Sequence, residues 1–372
     1  MTAINVDRAV QSFLTLVQID SVTYEEQRII QHVTAAFEAL GFTVVNDGTG
    51  RDGAGNLLIR LPGTRPEVSP ILLSAHTDTV GARPWRQAAR RRRRDPERWH
   101  HRARGRQQGE SGRSSRGNAR CSRKRRLPHR AVELVLTWGE ERGTRGRSPS
   151  TCRRLSARMG ATLDDAAPPG RVTVAAPAYR SIRARFIGRA AHAGADPERG
   201  ISAIVASAPT RSRGCGSARL DHETTANVGI IRGGTARNAI PEWSNLRRKP
   251  GAGTMPSSSA WWPTCGRPWK RGGARGGRRR SNSISSRSTR RTATLTSEPI
   301  VQEAMRAVRA VGLTPALGES GGGSDANTFN EKGIRCVNLG IGMADMHTVN
   351  ESIRIADLGK TCELALALMT GG

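Results

Sequence analysis

Apolar residues recur through the first forty positions at the spacing of amphipathic helices. Residues 5–18 and 24–40 each place their apolar side chains on one helical face. Two short apolar runs, 42–45 and 56–59, then predict strands, and the run at 71–75 predicts a third, buried strand. This succession of helices and strands is typical of an α/β protein.

The same alternation resumes farther along the chain, with a break at Pro168–Gly170 that indicates a domain boundary. Strands are predicted at 131–137, 172–175, 181–187, 227–231 and 336–339. Helices are predicted at the beginning of 155–165, from 201 onward, at 298–311 and near 357–368. A chain of 372 residues is long enough for two domains, each with its own core.

The net charge of +29 would ordinarily suggest a nucleic-acid partner, but its distribution argues against one. Residues 81–130 and 246–295 carry cationic excesses of 16 and 13, which together equal the whole net charge. These stretches contain few aliphatic residues, and their composition predicts irregular structure. The chain has six cysteines without a Cys-x-x-Cys pair, no signal peptide and no apolar run of membrane-spanning length. We therefore expect a cytoplasmic protein without a membrane partner.

Candidate metal ligands follow the predicted buried strands. His76 and Asp78 follow the strand at 71–75, and Glu140 and Glu141 follow the strand at 131–137. Ligands gather at the carboxyl ends of strands in α/β proteins, so these side chains can point into one cleft. The alternatives are a solvated histidine in a capped loop and a solvated acidic turn.

Further ligands occur near the ends of other predicted elements, namely Asp164, His347 and Glu351. Two histidines with several carboxylates suit one or two Zn²⁺-like ions, and activated water with a general base is a standard route to amide hydrolysis. His192 lies between small residues and is either a substrate-binding group or an ordinary loop histidine.

Taken in order, five motifs resemble those of the co-catalytic zinc peptidases related to peptidase T (tripeptide aminopeptidase), glutamate carboxypeptidase and acetylornithine deacetylase. The motifs are Ser-Ala-His76-Thr-Asp78-Thr, Thr-Trp-Gly-Glu140-Glu141, Gly-Arg-Ala-Ala-His192-Ala-Gly, Gly-Gly-Thr-Ala-Arg-Asn238 and Gly-Gly-Gly-Ser-Asp325-Ala-Asn with His347-Thr-Val-Asn-Glu351. The resemblance covers roughly residues 1–80, 131–143, 155–207, 217–246 and 296–372.

The resemblance implies a role for each matching residue. It implies two Zn²⁺ ions, one bound by His76 and Asp164 and the other by Glu141 and His347. Asp78 would orient His76. Glu140 would be the general base. His192 and Asn238, from the smaller lid domain, would contact either a small peptide substrate or the oxyanion, and a homodimer is one arrangement that would allow this contact.

The resemblance also implies the domain organisation. It predicts an α/β catalytic domain with a mixed central sheet, formed by residues 1–170 and 295–372. A smaller α+β lid, which would also be the dimerisation domain, would be inserted at 171–294.

One family motif is missing. The family has Gly-Ala-Asp-(Asp/Asn)-Lys-Ala-Gly between the His-x-Asp and Glu-Glu motifs, and its first Asp bridges both metals. Residues 105–109 read Gly-Arg-Gln-Gln-Gly, without a carboxylate. Two cations would then lie close together with too little negative charge between them.

A shifted reading frame can explain the missing motif. One permitted codon choice for residues 105–109 is GGC CGA CAA CAA GGC, and reading this choice one base later gives Ala-Asp-Asn-Lys-Ala. We hypothesise compensated frameshifts over about 83–126, 144–153, 209–216 and 247–292. The coding DNA tests this directly, because the metal motif must appear in a neighbouring frame over residues 105–109.

Three functions follow as hypotheses. The first is hydrolysis of small peptides by a zinc-dependent aminopeptidase or tripeptidase. The second is a catalytically inactive homologue that lacks the bridging Asp. The third is a basic nucleic-acid-binding protein, which is disfavoured because the tryptophans form no repeating platform.

Overall fold

The structure is a computed structural model, and it divides the chain into two compact units. It describes residues 4–80, 87–90, 98–102, 127–141, 149–207, 218–219, 225–252, 280–289, 291–348 and 350–371. The first unit comprises Met1–Val174, Thr294–Glu319 and Ser324–Gly372. The second comprises Ala175–Ala293 and Ser320–Gly323.

The helices are α1 (Val6–Val17), α2 (Gln27–Ala39), α3 (Pro149–Arg153), α4 (Ala203–Ser207), α5 (Pro299–Ala310), α6 (Asp325–Glu331) and α7 (Ile355–Thr370). The first nine strands are β1 (Val44–Asn46), β2 (Leu57–Leu61), β3 (Ile71–His76), β4 (Gln87–Arg90), β5 (Arg98–Arg102), β6 (Val132–Thr137), β7 (Met159–Asp165), β8 (Arg171–Ala176) and β9 (Ala178–Ile187). The others are β10 (Ala218–Arg219), β11 (Thr225–Gly233), β12 (Trp243–Ala252), β13 (Arg280–Thr289), β14 (Thr292–Ala293), β15 (Ala316–Glu319), β16 (Arg335–Gly340), β17 (Met343–Ala344) and β18 (Ser352–Arg354).

A large mixed sheet forms the centre of the first unit and confirms the predicted α/β class. Its strand order runs β1-β2-β6-β3-β7-β16-β8. The four central strands β6, β3, β7 and β16 are parallel to one another. Strands β1 and β2 pair antiparallel at one side, and β8 pairs antiparallel with β16 at the other.

The central strands are buried on both faces, as parallel strands covered by helices must be. On one face, Ile71 and Leu73 of β3 join a core that includes buried residues of α5 and α7. On the other face, Leu72 packs in a cluster with Ala326 and Phe329 of α6. Because successive strand residues point to opposite faces, one short apolar run supplies both cores.

The second unit contains an antiparallel sheet in the order β10-β11-β12-β9-β13. Ala184 and Phe186 of β9, Leu246 of β12 and Ala203 of α4 form its buried cluster. No helix among the described residues is long and apolar enough to cross a membrane.

Two predictions of local structure are wrong. The short helix predicted at the beginning of 155–165 is replaced by strand β7, which lies between β3 and β16, and pairing on both sides outweighs the local helical pattern. The basic stretches were expected to be irregular, but their described parts include β4, β5, the end of β12, β13 and β14. Backbone pairing needs no particular side chain, so β13 can pair with β9 over residues 280–289 despite its Ser/Arg-rich sequence. The remaining parts of those stretches lie outside the described residues.

Candidate metal centre

The sheet brings four motif loops to one edge. Strands β3, β6, β7 and β16 are parallel, and His76 at the end of β3 is paired with Thr137 at the end of β6. The Glu140–Glu141 turn therefore begins beside His76. Asp164 lies at the carboxyl end of β7, and the chain that leaves β16 carries His347. This is the edge at which α/β sheets bind ligands.

His76 lies between two carboxylates. Its Nε2 is 3.4 Å from Oδ1 of Asp164, and its Nδ1 is 3.4 Å from Oδ1 of Asp78. The Nδ1 also lies 2.8 Å from the backbone oxygen of Asp78. Burial lowers the pKa of His76, but the hydrogen bonds and charges of Asp164 and Asp78 raise the pKa well above its ordinary value. The two neighbouring carboxylates thus favour the protonated form of the His76 ring.

Asp78 is a buried hub that links three segments. Its Oδ1 accepts the backbone N–H of Glu140 at 2.9 Å, and its Oδ2 accepts the N–H of Glu141 at 3.0 Å and the Thr23 hydroxyl at 2.8 Å. Burial raises the pKa of the Asp78 carboxyl, but hydrogen bonds from His76, Thr23 and Glu141 lower the pKa below its ordinary value. Asp78 therefore stays ionised, orients His76 and anchors the acidic turn.

Glu141 and His347 form the second pair. Oε1 of Glu141 lies 3.2 Å from Nε2 of His347, with 15% and 60% of the respective side chains exposed. The backbone of His347 has φ of +64°, in the left-handed region that non-glycine residues rarely adopt. Such strain persists only where surrounding structure imposes it, and it concentrates at functional sites.

The donor atoms of the two pairs are of the types that bind zinc, but each pair has too few of them to complete a zinc site. Imidazole nitrogens and carboxylate oxygens are typical zinc ligands, and each pair supplies one of both types. A histidine and a carboxylate can bind a metal ion only after they lose their protons, so metal binding competes with proton binding at such a pair. Within the described ranges, no group of three or more His, Cys, Asp or Glu residues could hold a metal ion. Each pair needs a further ligand, and residues 105–109, where the sequence lacks the expected Asp, lie outside those ranges.

In the second unit, the two predicted substrate-binding residues lie on adjacent loops. His192 forms an isolated β-bridge with Ala239, and the N–H of Ala193 donates to the backbone oxygen of Asn238 at 2.9 Å. Nδ1 of His192 accepts the N–H groups of Gly194 at 3.2 Å and Ala195 at 3.0 Å. This geometry assigns the proton of the neutral ring to Nε2, which can then donate to a substrate oxygen.

Sequence reasoning missed Thr23 and Glu26. Thr23 donates to Asp78, and Glu26 accepts the backbone N–H of Gly139 at 2.8 Å. The signal in the sequence was a Thr-x-x-Glu pattern before α2, which is typical of a helix capping box. Here Glu26 is the residue before the helix and makes no side-chain cap. The pattern would therefore have indicated the wrong role.

Comparison with known proteins finds a family whose profile matches this chain and a relative that is similar along nearly the whole chain. Residues 72–370 match the profile of peptidase family M20/M25/M40. The chain is 31% identical over 378 residues to the uncharacterised protein YqjE of Bacillus subtilis, covering 98% of each chain.

Two solved structures are similar over nearly their whole length. The aminopeptidase PepT from Bacillus cereus has 29% identity and a TM-score of 0.72, with 99% of each chain covered. A tripeptidase from Staphylococcus aureus has 27% identity and a TM-score of 0.77, with 99% of this chain and 98% of that chain covered.

Proposed function

Because this chain belongs to peptidase family M20/M25/M40, we propose that it hydrolyses peptide bonds of small peptides as a zinc-dependent aminopeptidase or tripeptidase. One observation carries the proposal: Asp78 orients His76 and accepts both backbone N–H groups of the Glu140–Glu141 turn. A single buried carboxylate thereby couples a candidate metal ligand to the candidate general base. The aminopeptidase and tripeptidase names of the two similar structures support the choice of substrate class.

In this proposal the residues have distinct tasks. His76 with Asp164, and Glu141 with His347, would hold two zinc ions together with a further ligand. When bound, zinc supplies Lewis-acid activation of water and of the scissile carbonyl. Glu140 takes the proton from the attacking water and delivers it to the leaving amine. His192 donates from Nε2 to a substrate oxygen, and the Asn238 amide binds substrate.

The test is hydrolysis of small peptides with added Zn²⁺ or Co²⁺, in two chains. One is the chain as printed, and the other carries Ala-Asp-Asn-Lys-Ala over residues 105–109 within a restored frame across 83–126. Metal-dependent hydrolysis by the restored chain supports the proposal. If the restored chain folds, binds metal and hydrolyses no peptide, the proposal is wrong.

The second candidate function is that the chain as printed is a catalytically inactive homologue. The missing carboxylate at residues 105–109 favours this candidate. The described donors also form pairs rather than larger groups. A printed chain that hydrolyses peptides as fast as the restored chain would exclude this candidate. Salt-sensitive DNA binding by the printed chain would instead favour the nucleic-acid hypothesis.

The predicted homodimer also stays a proposal, and the second unit offers a surface for it. Val205 of α4 is 68% exposed and Ile231 of β11 is 55% exposed. Contiguous exposed apolar patches mark association surfaces, and we propose that these two side chains belong to one such patch. We expect the chain to sediment as a dimer and the double variant Val205→Asp, Ile231→Asp as a monomer. A parent that sediments as a monomer at micromolar concentration would contradict the proposal.

A further inference from the structure

The segment before α2 is attached to the loop that carries Asp78. The N–H of Thr79 donates to the backbone oxygen of Ser21 at 2.8 Å, and the N–H of Thr23 donates to the backbone oxygen of Thr79 at 3.3 Å. An isolated parallel bridge joins Val22 to Thr79. Residues 21–26, here called the clamp segment, are thus paired with the loop that follows β3, although they contain no predicted ligand.

Glu26 is the centre of the clamp segment. Its side chain is fully buried, with 0% exposed. Oε1 accepts the N–H of Gly139 at 2.8 Å and lies 3.5 Å from the Thr77 hydroxyl, while Oε2 accepts the N–H of Tyr24 at 2.8 Å. Gly139 has φ of +68°, a conformation that glycine adopts without strain. Glu26 therefore stabilises the turn at the residue where the chain changes direction toward Glu140.

Every residue from 138 to 141 is held by the clamp segment or by Asp78. The ring of Tyr24 packs edge-on against Trp138 with centroids 5.6 Å apart. Glu26 binds the N–H of Gly139, and Asp78 binds the N–H groups of the next two residues. The clamp also fixes Asp78 itself through the hydroxyl of Thr23.

Burying this carboxylate has a free-energy cost. The pKa of Glu26 is raised to about 7, and burial is the main cause. The charge of Asp78 raises this pKa further, whereas hydrogen bonds from Gly139, Tyr24 and Thr77 lower it. A glutamine has nearly the same shape and avoids that cost. It offers only one acceptor oxygen, however, and would leave either Gly139 or Tyr24 without a partner. The need for two acceptor oxygens, one for each backbone N–H group, explains why a carboxylate occupies this position.

We propose that Glu26 is a positioning residue that holds the turn at 138–141 against the loop at 77–79 and so directs the side chains of Glu140 and Glu141. The consequence for catalysis rests on the proposed function, in which Glu140 moves the proton and Glu141 binds metal. The positioning itself does not depend on that function and can be measured in the metal-free chain.

The experiment compares amide hydrogen exchange in the parent, Glu26→Gln and Glu25→Gln, with resolution of single residues. Glu25 is the adjacent, exposed glutamate, so its variant is the matched control for the lost charge. We expect Glu26→Gln to accelerate exchange about tenfold or more at Tyr24 or at Gly139–Glu141, because a buried donor loses its partner. Exchange in α5 should stay at the parent rate in both variants.

Three results would overturn the proposal. The first is unchanged exchange at Tyr24 and at 139–141 in Glu26→Gln. The second is uniform acceleration that includes α5, which would mean general destabilisation. The third is fast exchange at the N–H of Gly139 in the parent, at the rate of an unstructured chain, which would contradict the assigned hydrogen bond. This measurement needs only the parent, so it decides the question even if the variant does not fold.

An activity measurement separates this inference from the proposed function. In the restored chain, we expect Glu26→Gln to lower kcat about tenfold or more with little change in KM, while Glu25→Gln changes neither. Absence of hydrolysis in every chain would count against the proposed function alone, since the exchange result stands without it. Hydrolysis that is equal in parent and Glu26→Gln would count against the catalytic consequence of positioning.

Discussion

Adjacent acidic residues in this protein have different tasks. Asp164 faces His76, whereas the carboxylate of Asp165 accepts the backbone N–H of Ala167 at 2.9 Å and the hydroxyl of Thr173. Successive side chains of a strand point to opposite sides, so a pair of identical residues at the end of β7 cannot have equivalent environments. In the acidic turn, the carboxylate of Glu141 meets His347, and the backbone N–H groups of Glu140 and Glu141 both bind Asp78.

This division of tasks gives a prediction for the acidic turn. In the restored chain, Glu140→Gln should leave zinc content intact and lower kcat by ~10²–10⁴-fold, because it removes only the proton acceptor. Glu141→Gln should instead lower zinc content, because the amide is a poorer ligand than the carboxylate. Zinc content and peptide hydrolysis are measured on the same preparations. A Glu140→Gln variant that hydrolyses peptides as fast as its parent would show that the assigned role is wrong.

At the scale of elements, the site depends on the close approach of two central strands. Leu72 of β3 is in register with Gly160 of β7, and a Cβ atom at Gly160 would lie 2.4 Å from the backbone oxygen of Leu72. The same two strands carry His76 and Asp164 at their carboxyl ends. Their separation is therefore set in the interior of the sheet, several residues away from the ligands.

We accordingly expect Gly160→Ala to destabilise the protein by roughly 1–3 kcal/mol, because the backbone of β3 must move to admit a methyl group. The matched control is Gly322→Ala, since a Cβ atom there has no neighbour within 4 Å. Urea unfolding of the two variants and the parent measures the effect. Equal midpoints for both variants would contradict the close approach.

At the scale of the whole molecule, the free energy of unfolding of the metal-free chain should depend on pH through Glu26. The pKa of this carboxyl is about 7 in the folded chain and has the ordinary value of 4.5 in the unfolded chain. Between these values the folded chain keeps a proton that the unfolded chain releases. The contribution is therefore fully present below 4.5 and is lost as pH rises through about 7.

We therefore predict that the free energy of unfolding depends on pH more steeply in the parent than in Glu26→Gln. The free energy of unfolding of the parent should fall relative to that of Glu26→Gln by about 3 kcal/mol in total across this window, an upper value for one group. Urea titrations at several pH values between 4.5 and 7 measure it, with Glu25→Gln as the charge control. Parallel curves for the parent and Glu26→Gln would contradict the raised pKa.

The sequence by itself determined α1, α2 and α5 through their helical period, and β3 and β6 through their continuous apolar runs. Local periodicity and burial preference are properties of a short segment, so they can be read from it. The sequence also determined the chemical types of the candidate ligands, because imidazole and carboxylate groups keep their chemistry in any fold. The family motifs added their order along the chain.

Only the tertiary structure decided matters that depend on pairing between distant segments. Strand β7 replaced a predicted helix because β3 and β16 bind it on both sides. Thr23 and Glu26 have the pattern of a helix cap, yet their side chains bind Asp78 and Gly139, which lie far along the chain. Strand order and register bring such partners together, and neither is encoded in the spacing of one segment.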